Sequence, residues 1–377
     1  MTPKTEMELA ELIAGASGPL SVRGGGTRGI CGAGELLSLA GLSGITLYEP
    51  GSLTMVAQAG TSISEIEKAL AKENQRLAFE PMDHRGLLGT KGTPTIGGMF
   101  AANVSGPRRI AVGAARDFLL GVRFVDGQGQ VIKNGGRVMK NVTGYDLVKL
   151  MSGSFGTLGV LSEVSLKVLP CPETEATLVL RDLSDSDAIQ VLSKAMGSPF
   201  EVTGAAHDPI GRQTMLRIEG FEASVAYRID ALRGLVCPDG TTPDGTTTEV
   251  LDAKQSATQW RDVRDVTAFH GAEGDVWRVS CKPSQGPALV EKAEAQAHFY
   301  DWAGGLIWMR MAVDSDLRSR LGDFDGHATL VRASNDTRAR LGVFQPETAG
   351  VARITAGLRA RFDPKGLFNA GLMDAAS

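Results

Sequence analysis

The chain has 377 residues, of which 42% are hydrophobic and 22% charged, values of a globular protein long enough for two or three domains. A formal net charge of −4 leaves no surplus of Lys and Arg to neutralise a phosphate backbone, which excludes nucleic acid as a partner class. The opening MTPKTEMELAELIAGA has no apolar signal region and no run of about 18 apolar residues occurs anywhere, so the chain is expected to be cytoplasmic and to reach the inner face of the cell membrane only through partners.

The first predicted element is a helix in TPKTEMELAELI, with Pro3 in its first turn, Thr5 and Glu8 at capping-box spacing, and Leu9, Leu12 and Ile13 on one face. A strand, PLSV, then enters VRGGGTRG, where Gly24-x-Gly26-x-x-Gly29 fits the dinucleotide fingerprint and the acidic Glu49 follows some 20 residues on. The nicotinamide reading weakens at once. Its third glycine should open a long helix, but Gly32, Gly34, Gly41 and Gly44 would each cost that helix about 1 kcal/mol relative to Ala. Glu49 precedes Pro50-Gly51, a plain turn after the strand ITLY. SLTMVAQAG reads as a strand and TSISEIEKALAKEN as a helix with Thr61 and Ser64 as candidate caps. GTKGTPTIGGMFAANVSGPRR is poor in large side chains over too many residues for an ordinary turn. Such backbone either brings N–H groups close to an anion, as in nest-type phosphate sites, or forms a long surface loop of tight turns.

Residues 118–132, FLLGVRFVDGQGQVI, predict a hairpin around Asp126-Gly127. GSFGTLGVLSEVSLKVLP adds a third glycine cluster and a strand that Pro170 ends. The composition then shifts to strands and amphipathic helices without glycine loops, which places a domain boundary near residue 171. PDGTTPDGTT, residues 238–247, is a tandem repeat of turn formers and reads as an exposed loop tip. Strands follow in VWRVSCKP, GLIWMRMAV and HATLVRA, with Trp308 and Arg310 on one face, and VARITAGLRARFDPKGLFNAGL ends the chain with a basic helix and glycine turns.

The four cysteines, Cys31, Cys171, Cys237 and Cys281, show no C-x-x-C spacing, and the histidines at 84, 207, 270, 298 and 327 form no H-x-H or H-x-x-x-H pair. No metal site is therefore predicted.

The ordered set VRGGGT, YEPGSLTMVAQAGTSISEIEKAL, PTIGGMFAANVSGPRR, GAARDFLLGVRFVDGQGQVI, NVTGYDLVKLMSGSFGTLGVLSEVSLKV and FDPKGLFNAG resembles FAD-binding oxidoreductases of the vanillyl-alcohol oxidase / p-cresol methylhydroxylase (PCMH) type. Within that superfamily it is most similar to the E-type FAD-binding subunits of glycolate oxidase, which work beside a D-type flavoprotein subunit and an F-type iron–sulfur subunit. The resemblance covers residues 5–170 and returns at 362–371. It implies an α+β fold: a PCMH-type two-subdomain FAD domain at 1–170, an α/β cap with antiparallel sheet at 171–330, and a C-terminal segment, 331–377, returning to the flavin. It also implies FAD as cofactor. Arg23, Gly24, Gly25, Gly26 and Thr27 match its first pyrophosphate loop, and Thr95, Ile96, Gly97 and Gly98 the second. Ala101, Ala102, Asn103, Ser105 and Gly106 match positions running toward the flavin, Gly156, Gly159 and Val160 the adenosine end, and Asn369 a residue near the isoalloxazine. Some members hold FAD covalently through a histidine where this chain has Thr27, so noncovalent FAD is expected.

The resemblance implies oxidation of glycolate or another small 2-hydroxy acid, but the H-x-H pair of D-type dehydrogenases is missing. The candidates left are His327 as base and Arg310 and Arg332 as carboxylate anchors, each with a bland alternative as a core histidine or an interface arginine. Two functions stay open: an oxidoreductase acting on the hydroxy acid itself, and a relay or scaffolding flavoprotein subunit.

Overall fold

The computed structural model describes residues 1–137, 144–237 and 247–373. The tandem repeat up to residue 246 and the NVT that opens the fifth motif lie outside the described residues. The chain divides into two compact units. One comprises Met1–Ser105, Gly113–Cys171 and the described residues from Pro346 onward; the other comprises Gly106–Val112 and Pro172–Gln345. Both mix helix with sheet, an α+β architecture.

In the first unit, helix α1 (Glu6–Gly15) starts where the Thr5 side chain accepts the Glu8 N–H, and it buries Leu9 and Ile13. Pro3 precedes this cap rather than lying in the first turn. Strands β1 (Leu20–Arg23) and β2 (Glu35–Ser38) pair in parallel, and the glycine loop between them, which includes Gly32 and Gly34, holds no helix. A second sheet contains β3 (Ile45–Glu49), β4 (Thr54–Gln58), β5 (Leu119–Val125), β6 (Val131–Gly135) and β7 (Val160–Lys167). Its order is β3-β4-β7-β5-β6, antiparallel throughout. The hairpin β5–β6 turns on Asp126, whose Oδ1 accepts the N–H groups of Gln128 and Gln130 at 2.9 Å each.

Helix α2 (Ile63–Ala71) is capped by Ser62, which accepts the Glu65 N–H at 3.0 Å. The sequence reading favoured Thr61 and Ser64. Thr61 is buried and instead donates to the Gln58 carbonyl at 2.7 Å, and Ser64 lies inside the helix. Met55, Phe79, Phe100, Phe118, Phe124 and Val164 are buried in the core, with the Phe79 ring 5.8 Å from Phe100 and 5.3 Å from Phe118.

The second unit is built on an eight-stranded sheet. Its strands are β8 (Thr174–Arg181), β9 (Gly204–Asp208), β10 (Gln213–Gly220), β11 (Thr248–Leu251), β12 (Asp275–Cys281), β13 (Ala297–Asp301), β14 (Leu306–Met311) and β15 (Gly326–Arg332). They run in the order β11-β8-β10-β9-β13-β14-β12-β15. One face packs Leu178, Leu216, Trp277, Met309 and Leu330 against helices that contribute Leu192, Ile229, Leu232 and Leu289. The short segment 106–112 is tied to this unit by Arg108, which grips buried Glu219 with two N–H···O bonds of 2.8 Å. A fork of that kind fixes position as well as charge.

Candidate functional site

The first loop leaves β1 at Arg23 and must pass very close to the second. A Cβ on Gly25 would lie 1.6 Å from the Thr93 carbonyl oxygen, and one on Gly97 would lie 2.6 Å from the Ala59 Cβ. Only glycine permits this backbone contact. The loops are further tied by Thr90, whose hydroxyl donates to the Thr27 carbonyl at 2.7 Å, and by Arg28, whose Nη2 donates to the Gly98 carbonyl at 3.1 Å. Thr95 caps the short helix Ile96–Ala101 by accepting the Gly98 N–H, while the Ile96 and Gly97 amides bond to the Thr61 and Ala59 carbonyls. The amides of Gly24, Gly25, Gly26 and Thr27 donate to no protein acceptor among the described residues.

The third glycine segment joins these two. The Arg28 guanidinium lies 5.7 Å from the Phe155 ring centre. Asn369, buried at the chain's end, accepts the Val22 N–H through Oδ1 and donates from Nδ2 to the Phe155 carbonyl, both at 2.8 Å. Its side chain therefore latches β1 to the Phe155–Gly156 turn. Asn103 Oδ1 accepts the Arg116 N–H at 3.0 Å and Ser105 Oγ the Ala115 N–H at 2.9 Å, so these two shape the chain after the second loop. Ala101 offers its carbonyl to the Phe155 N–H, and Ala102 is half-buried beside it. Gly106 accepts the Trp302 indole N–H at 3.0 Å within the second unit. Gly159 and Val160 pack at Phe124 and Val125 inside the sheet, and Arg23 is exposed.

The three candidates of the second unit do not meet. Arg310 and Arg332 both lie opposite Val276, whereas His327 lies opposite Ser280, about 13 Å further along β12 at the usual strand rise. Arg310 donates to the Glu273 carbonyl and Gln296 side chain, and Arg332 to the carbonyls of Gly274, Phe269 and Ala272. Both hold the loop before β12 in place. His327 is exposed; desolvation by its neighbours, then the cations Arg278 and Arg109, hold its imidazole below the ordinary histidine range. Arg109 and Arg278 lie 4.4 and 4.8 Å from the Trp302 ring centre.

Residues 1–135 match a family model described as an FAD binding domain. Glycolate oxidase subunit GlcE of Escherichia coli (strain K12) is 34% identical over 363 residues, which cover 95% of this chain and 93% of that protein. The chain belongs to the glycolate oxidase subunit GlcE family. Glycolate oxidase subunit GlcD of Bacillus subtilis (strain 168) is 29% identical over 230 residues, 59% of this chain and 47% of the relative. A solved structure of alkyldihydroxyacetonephosphate synthase, at 16% identity, superposes with a TM-score of 0.70 over 98% of this chain and 76% of its own, and so shares the fold. The chain is thus a flavoprotein oxidoreductase of the PCMH-type fold with FAD as its cofactor.

The residues present fit that cofactor. A row of amides without protein acceptors at two interlocked glycine loops suits a pyrophosphate. Arg28 adds a cation: burial pushes its guanidinium down to about 9, still charged at neutral pH, and no carboxylate bonds to it among the described residues. The sequence reading missed Arg28, though it directly follows the G-G-G-T run. It also missed Arg109, at the end of VSGPRR, and Arg278, in the strand VWRVS.

Proposed function

We propose that this chain is the FAD-binding subunit of a glycolate oxidase complex that converts glycolate, or a related small 2-hydroxy acid, to the 2-oxo acid. Its partners are a D-type flavoprotein subunit and an F-type iron–sulfur subunit that carries the electrons onward. The observation that carries this reading is the GlcE match along nearly the whole of both chains. In it, the Gly24–Thr27 amides, the Thr95–Gly98 turn and Arg28 hold the pyrophosphate, and Asn369 fixes the floor of the site by latching β1. Thr27 offers no imidazole for a covalent bond, so FAD is held noncovalently. No helix among the described residues is long and apolar enough to cross a membrane, which leaves membrane attachment to the partners.

Bound FAD supplies the hydride acceptor. The chain's own residues must hold the substrate carboxylate and accept its hydroxyl proton. His327 suits the second task, because a lowered pKa leaves a ring nitrogen unprotonated near neutral pH. Arg332, whose Nε and both Nη groups donate to loop carbonyls, does not serve the first, and Arg310 lies opposite Val276, away from the Ser280 end of β12 where His327 sits.

The test is a visible spectrum of the purified chain before and after anaerobic glycolate, followed by acid precipitation. Flavin bands should bleach, and the yellow colour should leave the pellet. Bands that stay oxidised in the chain alone but bleach once both partners are present would leave the chain an electron-relay subunit. A yellow pellet would overturn the noncovalent assignment.

A further inference from the structure

We propose that Arg278, held against Trp302 beside Arg109, is the residue that binds the carboxylate of a small 2-hydroxy acid. The inference rests on the function proposed above and adds the anchor that function lacks.

The strand register supplies the first support. Along β12, Trp277 and Val279 enter the hydrophobic core, so Arg278 and Ser280 point to the opposite face. Arg278 pairs with Thr329 of β15, and Ser280 with His327. One open corner of the sheet therefore presents a guanidinium, two hydroxyls and an imidazole, with Arg278 and His327 as diagonal neighbours within reach of long side chains.

The state of Arg278 is the second. It is half-buried, yet it makes no hydrogen bond to a protein acceptor among the described residues. Burial pushes it down to about 10, with Arg109 adding repulsion and Asp301 opposing it, so it stays charged at neutral pH. Its N–H fork is thus positioned by the Trp302 ring and available to a ligand, whereas Arg332 donates from Nε and both Nη groups to loop carbonyls and Arg310 is turned to Glu273 and Gln296 through Nη1. A carboxylate takes such a fork through two parallel bonds and relieves the repulsion between the two arginines.

Trp302 is itself firmly placed. Its indole N–H donates to Gly106 at 3.0 Å, its backbone N–H to Asp301 Oδ1 at 2.7 Å, and its φ is 51°. A bulky residue in the left-handed region is strained and requires support from its surroundings.

The experiment is calorimetric titration of the purified chain with oxalate in chloride-poor buffer, alongside glycolate kinetics, for the parent, Arg278→Met and Arg278→Lys. Oxalate should bind the parent, and Arg278→Met should weaken it by roughly tenfold or more and raise KM more than it lowers kcat. Arg278→Lys, which keeps the charge and stem, should bind in between. Should the Met variant fail to fold, the Lys variant carries the test: binding equal to the parent's overturns the proposal. So does a parent that takes up no oxalate, or a Met variant with unchanged affinity, even if glycolate still bleaches the flavin. Oxalate binding that depends on Arg278 while glycolate leaves the flavin oxidised would retain the anion site and reject the oxidase reading.

Discussion

Arg28 shows how one residue can join three loops that the sequence presents separately. Its guanidinium bonds to the Gly98 carbonyl, lies against Phe155, and springs from the first glycine loop. A carbonyl and a ring are weak partners for a desolvated cation, and a pyrophosphate would be a much better one. Arg28→Met should therefore lower FAD affinity by roughly tenfold to a hundredfold, the worth of a hydrogen bond to a charged group. Titration of the apo-chain into FAD, read by flavin fluorescence, measures this, with Arg28→Lys expected to recover part of the loss. Equal affinity in the Met variant would reduce Arg28 to loop packing. The family resemblance instead matches Arg23 to this loop, and Arg23 is exposed. Which arginine turns inward depends on the backbone at Gly26, where φ is +68°, and no residue pattern specifies that rotation.

Between elements, the second unit holds an acidic knot that the family resemblance did not indicate. Asp185, at the first turn of the helix Asp185–Met196, accepts from the Tyr300 hydroxyl at 2.8 Å and bonds to His298 Nε2 at 2.7 Å. His207 Nε2 lies 3.3 Å from its other oxygen but is poorly aligned for a hydrogen bond. Burial alone would raise this carboxyl; the two imidazoles and the phenol outweigh it and hold Asp185 well below the usual carboxylate range. A depressed folded pKa contributes stability that is fully present above the unfolded value of about 4. That stability is lost as pH falls toward the folded value. Asp185→Asn should thus cost about 1–3 kcal/mol at pH 7, and its melting temperature should approach the parent's as pH drops below about 4. A constant difference across that range would contradict the linkage. The strands of His207 and of His298 and Tyr300, β9 and β13, were not legible in the sequence, whereas β12, β14 and β15 were, because alternation of apolar and polar residues survives in VWRVSCKP, GLIWMRMAV and HATLVRA. Their order was not. β12 lies between β14 and β15, and the resulting register carries His327 to the Ser280 end and Arg310 and Arg332 to the Val276 end. Periodicity reports the face of a strand but not its neighbour or its offset. The glycine loops were legible for the opposite reason, since their composition itself encodes close backbone approach.

At the scale of the whole molecule, the chain closes its first unit with its last described residues. After the C-terminal helix Ala349–Phe362, the Asp363 carboxylate accepts the Leu367 and Phe368 amides at 2.9 and 2.7 Å. This turn aims Leu367 and Phe368, each 3% exposed, into the interior. The Leu20 N–H then donates to the Leu367 carbonyl at 2.7 Å, and the Asn369 N–H returns a bond to Leu20 at 3.0 Å. The C-terminal segment therefore supports β1 on the edge from which the first glycine loop departs. A stop after Gln345 would expose the β1 backbone and remove two apolar side chains, each worth about 1.5–3 kcal/mol when buried, together with the Asn369 latch. The eight-stranded sheet would keep every strand. Such a truncation should purify without flavin. In calorimetry the transition of the first unit should fall or vanish, while that of the second stays at its parent temperature. Retained FAD with an unshifted first transition would mean that β1 and its glycine loop hold their shape without the returning segment, and would remove Asn369 from any role at the cofactor.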